Sequence, residues 1–192
     1  MGVSSPIVRM PALATTMSSL PSSAMRRTPQ PVPPGTRGRL YFRDTSGYGM
    51  RYLRGGVDDP FAGPGEFTLG EIGVMDDAGY VWVTDRFADM VVSGGVNIYP
   101  AEIEGYINDM PGVAESALVG VPHPDFGEVG VAVVIAKPGT QLDGEQIVGA
   151  LKSQLANFKI PKRCFVATEL PRNTMGKVQK KLLRDQYARE FA

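Results

Sequence analysis

The chain has 192 residues, 20 basic and 20 acidic side chains, a formal net charge of zero, and 43% hydrophobic against 21% charged residues. That is ordinary globular composition for one domain, or one and a part, and its charge balance gives no argument for nucleic acid or an anionic membrane as partner. A single cysteine, Cys164, and a single histidine, His123, exclude an intramolecular disulfide and a structural zinc site with its usual set of about four Cys/His ligands, fit a reducing, cytoplasmic location, and accompany no apolar run near the roughly 18 residues that span a bilayer.

Residues 1–35, MGVSSPIVRMPALATTMSSLPSSAMRRTPQPVPPG, are rich in Ser, Pro and Thr and hold no Asp or Glu. Their prolines interrupt any helical or strand period, so they read as a disordered segment or a remnant of something larger. The acid-free, Arg- and Ser-bearing composition is shared with transit peptides, but repeated prolines oppose an amphipathic targeting helix. Pro6 breaks the N-myristoylation pattern.

GRLYFR (38–43) predicts a short strand, and TSGYGMRYLRGG and DDPFAGPGEF are turn-rich with little core. GEIGVM (70–75), the turn DDAG (76–79) and YVWVT (80–84) predict a β-hairpin. Strand alternation puts Val81 and Val83 on one side and Tyr80, Trp82 and Thr84 on the other. Asp85-Arg86-Phe87 is the expected joint, which divides the chain into segments 1–35, 36–86 and 87–192.

DMVVSGGVNIYP predicts a short apolar strand, a glycine turn and a helix with Pro100 in its first turn. Ile103, Tyr106, Ile107 and Met110 form one apolar helical face, which Pro111-Gly112 ends. VAESALVGV (113–121) and VGVAVVIA (129–136) predict two strands. Asp143 is the expected N-cap of a second helix burying Ile147, Val148, Leu151, Leu155 and Phe158. RCFVAT (163–168) predicts a third strand, and a last helix runs through Leu182, Leu183 and Tyr187. The expected fold class is α+β: a small C-terminal domain with a three-stranded sheet and packed helices, preceded by a short β-hairpin subdomain. About a hundred residues suffice for a real core.

Two nucleotide-binding motifs fail. A P-loop would place Gly where Pro171 stands and Ser or Thr where Val178 stands, and GYGMRY lacks the last glycine of a Rossmann turn and opens no helix. His123, between prolines in GVPHPDFGE and without a G-x-S-x-G, reads as a surface-turn histidine rather than a triad base. On spacing alone Lys177 is a solvated charge on a flexible loop.

Four segments in order change that picture: DDAGYVWVTDR, DMVVSGGVNIYPAEIE, GVAESALVGVPHPDFGE and LPRNTMGKVQKKLLR. Together they resemble the C-terminal part of acyl-CoA synthetases of the adenylate-forming (AMP-binding) superfamily. The resemblance covers roughly residues 35–192 and is strongest from 79 onward. The final segment looks like malonyl-CoA synthetases, and FTLGEIG and DRFADMVVSGG look like bacterial fatty-acyl-CoA synthetases.

The resemblance implies an ATP-dependent acid-thiol ligase acting in two steps, adenylation of a small-molecule carboxylate and then displacement of AMP by CoA. Lys177 would be the catalytic cation between the carboxylate and the α-phosphate, where two anions must meet. A lysine suits a three-dimensional clamp of donors better than a planar guanidinium. Rotation of the C-terminal domain would then withdraw it so that CoA can enter. Ser93, Gly94 and Gly95 would line the CoA tunnel, and Arg86 would contact the nucleotide. Glu71 would hydrogen-bond the ribose, where the family more often carries Asp. Asp85 and Ala88 fall at the hinge, and Ala88 replaces the usual Asp or Lys. ATP/AMP and CoA are the implied cofactors, with Mg2+ accompanying ATP in the adenylation domain; no metal site is expected in this chain. Segment 36–86 would be the end of that adenylation domain and 87–192 the C-terminal domain. No segment resembles the family's phosphate loop, adenine pocket or acyl pocket, so the chain looks like an excised portion, inactive alone and in need of a separate adenylation domain. The alternative is a stand-alone non-catalytic interaction module, or decayed fragment, that keeps the fold.

Overall fold

The computed structural model describes residues 15–18, 31–43, 61–63 and 66–191. Most of the expected disordered or remnant segment, and the turn-rich stretch 44–60 with its GYGMRY sequence, lie outside the described residues. The chain divides into two units, Met1–Ala88 and Asp89–Ala192.

The first unit is a sheet. Its strands are β1 (Thr15–Ser18), β2 (Gly38–Arg43), β3 (Phe61–Gly63), β4 (Glu66–Phe67), β5 (Glu71–Met75) and β6 (Val81–Arg86). The order is β3-β4-β2-β5-β6, and β1 also pairs with β2. Leu40, Tyr41 and Ile72 are buried in it. The expected hairpin is β5–β6. Its turn is fixed by Asp76, whose Oδ1 accepts the Ala78 and Tyr80 N–H groups at 3.0 and 2.8 Å, and by Gly79 at φ 81°. The regular alternation expected along β6 does not hold. The ladder steps from Gly73–Val83 to Ile72–Asp85, which leaves Thr84 as an extra residue. Its hydroxyl donates to the Ile72 carbonyl at 3.3 Å, and Val83 is 56% exposed.

The second unit is α+β. A hairpin of β7 (Val91–Ser93) and β8 (Val96–Ile98) precedes helix α1 (Pro100–Asn108). Then come β9 (Val113–His123), β10 (Gly127–Ala136), α2 (Gly144–Leu151), β11 (Arg163–Ala167) and α3 (Lys180–Tyr187). Short 3-10 turns span Phe87–Asp89, across the division between the units, and Asn157–Lys159. The three expected strands are β9, β10 and β11; β7 and β8 extend them to a five-stranded sheet. β10 runs antiparallel to β9 and parallel to β11.

Both faces of this sheet are covered, which explains the unbroken apolar run VAVVIA. Leu118, Ala132 and Val134 pack on one face with Ile103 and Ile107 of α1 and Ile147 and Leu151 of α2. Val119, Val131 and Val133 pack on the other with Leu170 and Leu183 of α3. Met110, Val148 and Leu155 are half-buried, and two expected core residues are exposed. Tyr106 is 38% exposed, and Phe158 is 47% exposed because α2 ends at Leu151 and the chain turns before reaching it. Asp143 caps α2 as expected, accepting the Glu145 N–H at 2.9 Å.

Candidate functional site

Lys177 sits on a loop whose two ends are joined by backbone hydrogen bonds. Arg172 and Val178 form an antiparallel bridge, and the Gln179 N–H donates to the Pro171 carbonyl at 2.7 Å. Inside this frame Asn173 organises the turn. Its Oδ1 accepts the N–H groups of Met175 and Lys177, each at 3.0 Å. Its own N–H donates to the Lys177 carbonyl at 3.0 Å, and Gly176 closes the turn at φ 80°. The Lys177 side chain is exposed, and among the described residues its ammonium makes no ion pair or hydrogen bond. Three nearby cations are engaged: Lys180 pairs with Glu104 at 2.7 Å, Arg184 with Asp89 at 2.8 Å, and Arg172 with Glu115.

Ser93, Gly94 and Gly95 form the β7–β8 turn. Gly94 and Gly95 have φ of 56° and 82°, the double positive φ of a type I′ hairpin. A Cβ on Gly94 would lie 3.5 Å from the Phe126 ring, and one on Gly95 would meet open space. Glycine is therefore required here by φ, not by crowding within the unit. The Gly94 N–H donates to the Phe126 carbonyl at 2.9 Å. Ser93 and Gly94 wall a cavity of about 210 Å³ with Phe126, Phe158, Ile160 and Lys162. The Lys162 ammonium lies 5.1 Å from the centre of the Phe126 ring. Phe126 lies in the GVPHPDFGE segment but is not singled out there, and Lys162 carries no motif signal; only the fold brings them to the glycine turn. Lys177 is not among the residues lining this cavity.

In the first unit the β5–β6 ladder sets Glu71 opposite Arg86, with Arg86 Nε 3.8 Å from Glu71 Oε1. The Arg86 side chain is 60% exposed and that of Glu71 23%. Asp85 Oδ1 accepts the Arg86 N–H at 2.7 Å, and the Phe87 N–H donates to the Gly70 carbonyl at 2.7 Å. Ala88 lies in the Phe87–Asp89 turn. Glu71, Asp85, Arg86 and Ala88 thus belong to the first unit, and Lys177 and the 93–95 turn to the second.

Elsewhere His123 packs its ring against Phe126 and Phe191, and its Nδ1 accepts the Asp125 N–H at 3.1 Å, a structural setting in which no acid partner for a triad is found among the described residues. Burial, and then the Asp143 carboxylate, push the Cys164 thiol up to about 11, so it is a poor nucleophile. Among the described residues no group of three or more His, Cys, Asp and Glu gathers to hold a metal, and no helix is long and apolar enough to cross a membrane.

Residues 102–177 match the family model for the AMP-binding enzyme C-terminal domain. The long-chain-fatty-acid–CoA ligase FadD13 of Mycobacterium tuberculosis is 44% identical over 124 residues, 65% of this chain and 24% of the ligase. A feruloyl-CoA synthase of Amycolatopsis is 37% identical over 163 residues, 82% of this chain and 32% of the synthase. ATP-bound MatB from Rhodopseudomonas palustris superposes with a TM-score of 0.80 at 38% identity, over 95% of this chain and 35% of that one. The chain spans about a quarter to a third of the length of these relatives.

Proposed function

The chain carries the C-terminal domain of the AMP-binding, adenylate-forming enzymes, and on that premise we propose that it is the C-terminal portion of an ATP-dependent acyl-CoA ligase. The reaction joins a carboxylate to CoA through an acyl-adenylate, releasing pyrophosphate and AMP. The observation that carries this is Lys177: an exposed ammonium without a partner among the described residues, on a loop whose backbone is fixed. An amine held this way loses little when it is brought between two anions. In a site closed to water, one such donor on developing charge is worth roughly 100- to 1,000-fold in rate.

The other residues take subsidiary roles. Glu71 and Arg86, adjacent on the hairpin, would bind the ribose and phosphates of the nucleotide. The cavity at Ser93 and Gly94 suits CoA, with backbone amides and an apolar wall for the pantetheine arm and Lys162 for a phosphate. Asp85 and Ala88 are assigned to the hinge, near the division between Ala88 and Asp89. Mg2+ would accompany ATP and is assigned to an adenylation domain outside these residues, together with the acyl pocket. By itself the chain would not form acyl-adenylate.

The test supplies the chain in trans to a separately expressed adenylation domain of a relative such as MatB and measures pyrophosphate release with malonate or a fatty acid. Lys177→Ala should abolish the gain that the wild-type chain gives. Equal release with Lys177→Ala would overturn the catalytic role. Calorimetry of the chain with CoA checks the glycine-turn cavity; a heat with CoA supports it, and none together with capture of a stable protein partner favours the interaction module.

A further inference from the structure

We propose that Asn173 and Arg172 are positioning residues for Lys177, the side chain of one clamping the lysine backbone and that of the other tying the loop to the sheet. This rests on the catalytic assignment of Lys177 only for its consequence in the reaction; the clamp itself is a property of this chain.

Val178 packs against the core near the end of the Pro171–Gln179 loop, but Arg172 to Lys177 are exposed, so packing cannot set the shape of that stretch. Hydrogen bonds must. Asn173 reaches Lys177 twice, with side-chain Oδ1 to the Lys177 N–H and backbone N–H to the Lys177 carbonyl, both at 3.0 Å. Both polar groups of the Lys177 peptide are therefore held by one residue. Oδ1 also takes the Met175 N–H, and the Gly176 N–H donates to the Asn173 carbonyl at 2.9 Å. Arg172 adds the external anchor. Its Nη1 donates to the Gly176 carbonyl at 2.7 Å, while Nη2 engages Glu115 of β9. A planar guanidinium spans the two acceptors at once, which an ammonium on a flexible stem would not. The carbonyl just before Lys177 is in this way tied to the central sheet.

The geometry has a functional consequence. Four χ angles lie between the Lys177 Cα and its ammonium. Any freedom of the backbone adds to theirs, and a misplacement of about 1 Å costs on the order of 100-fold in a positioned reaction. Fixing both peptide groups of Lys177 confines the search to the side chain alone.

The experiment uses the full 192-residue chain and NMR of its amides. Asn173→Ala should speed hydrogen exchange of the Lys177 and Met175 amides about fivefold to tenfold, the loss of one net hydrogen bond, and lower their order parameters. Amides of β10 should be unchanged. Asn173→Asp retains the oxygen acceptor and should restore slow exchange; Arg172→Lys should raise the mobility of Gly176. Unchanged exchange and order at Lys177 in Asn173→Ala would overturn the inference. In the mixture with an adenylation domain, Asn173→Ala should lower the rate of pyrophosphate release about tenfold at an unchanged KM for ATP. If Lys177→Ala itself leaves that rate unchanged, the catalytic role of Lys177 falls, and the exchange result alone decides whether the clamp exists.

Discussion

Glu71 stands opposite Arg86, and not opposite Asp85, because β6 carries one residue more than β5 at Thr84. The Gly73–Val83 register continued without a bulge would set two carboxylates face to face, a destabilising pair. The bulge replaces that repulsion with a cation. At 3.8 Å and with Arg86 60% exposed, the attraction is weak. Glu71→Gln should therefore change stability by less than about 1 kcal/mol, read by denaturation followed through Trp82, which lies on the same hairpin. Against that small cost, a several-fold loss of AMP affinity in the mixture with an adenylation domain would report the proposed ribose contact and not unfolding. Undiminished affinity would remove Glu71 from the nucleotide site.

Glu104 of α1 links three elements. Its Oε1 holds the Lys180 ammonium of α3 and the Leu118 N–H of β9, each at 2.7 Å, and both side chains are only 16% exposed. Removing the carboxylate leaves a half-buried ammonium and a backbone donor without partners. Glu104→Ala should cost about 3 kcal/mol. Helical circular dichroism is the readout, since α1, α2 and α3 all lie in the second unit. A cost under about 1 kcal/mol would show that water replaces the carboxylate freely.

Two glycines of α2 should respond oppositely to alanine. A Cβ on Gly144 would fall 2.0 Å from the Cys164 carbonyl oxygen, where backbone and not a flexible side chain must yield. Gly144→Ala should destabilise by about 2 kcal/mol. A Cβ on Gly149 meets nothing within 4 Å, so Gly149→Ala should stabilise by about 0.5–1 kcal/mol through helix propensity. The same denaturation series checks both, and equal effects would refute the close approach of α2 to β11.

The parts of the fold legible in the sequence are those where a period and burial coincide. Ile103 and Ile107 repeat at helical spacing and are fully buried; the apolar runs of β9 and β10 are buried on both faces. Tyr106 and Phe158 also fit a helical period but lie exposed, because period gives direction along a helix and not where the helix stops or how wide its neighbours are. β8 was not legible, since VNI is too short to show alternation and two of its three residues are exposed. Among the candidate site residues, Lys177 carries a motif signal; Asn173 lies in the same segment, but its hydrogen bonds to Lys177 come from a loop closure that sequence spacing does not encode. The bulge at Thr84 is likewise a single residue without a compositional mark.

Asp143 does two jobs that substitution can separate. It caps α2 through the Glu145 N–H at 2.9 Å, and its charge is the second cause, after burial, that raises the Cys164 thiol from 9.0 to about 11. A thiol whose folded value exceeds its unfolded one favours folding fully below pH 9, and that contribution is lost as pH rises through about 11. Tyr187, raised by burial and then by Glu190, adds a slope of the same sign at high pH. Asn is as good a cap as Asp, so Asp143→Asn should change stability at pH 7 by less than about 1 kcal/mol. Asp143→Ala loses the cap and should cost about 1 kcal/mol. Both remove the charge, so both should lower the thiol value part of the way, with burial holding the rest. The alkylation rate of Cys164 at pH 8 should then rise in both variants, and the loss of stability above pH 9 should become shallower. The two readouts must dissociate: Asp143→Asn alters thiol reactivity with the cap intact. Alkylation in Asp143→Asn that matches the unsubstituted chain at every pH would mean that the carboxylate is too well solvated to act on the thiol, leaving burial as the whole cause.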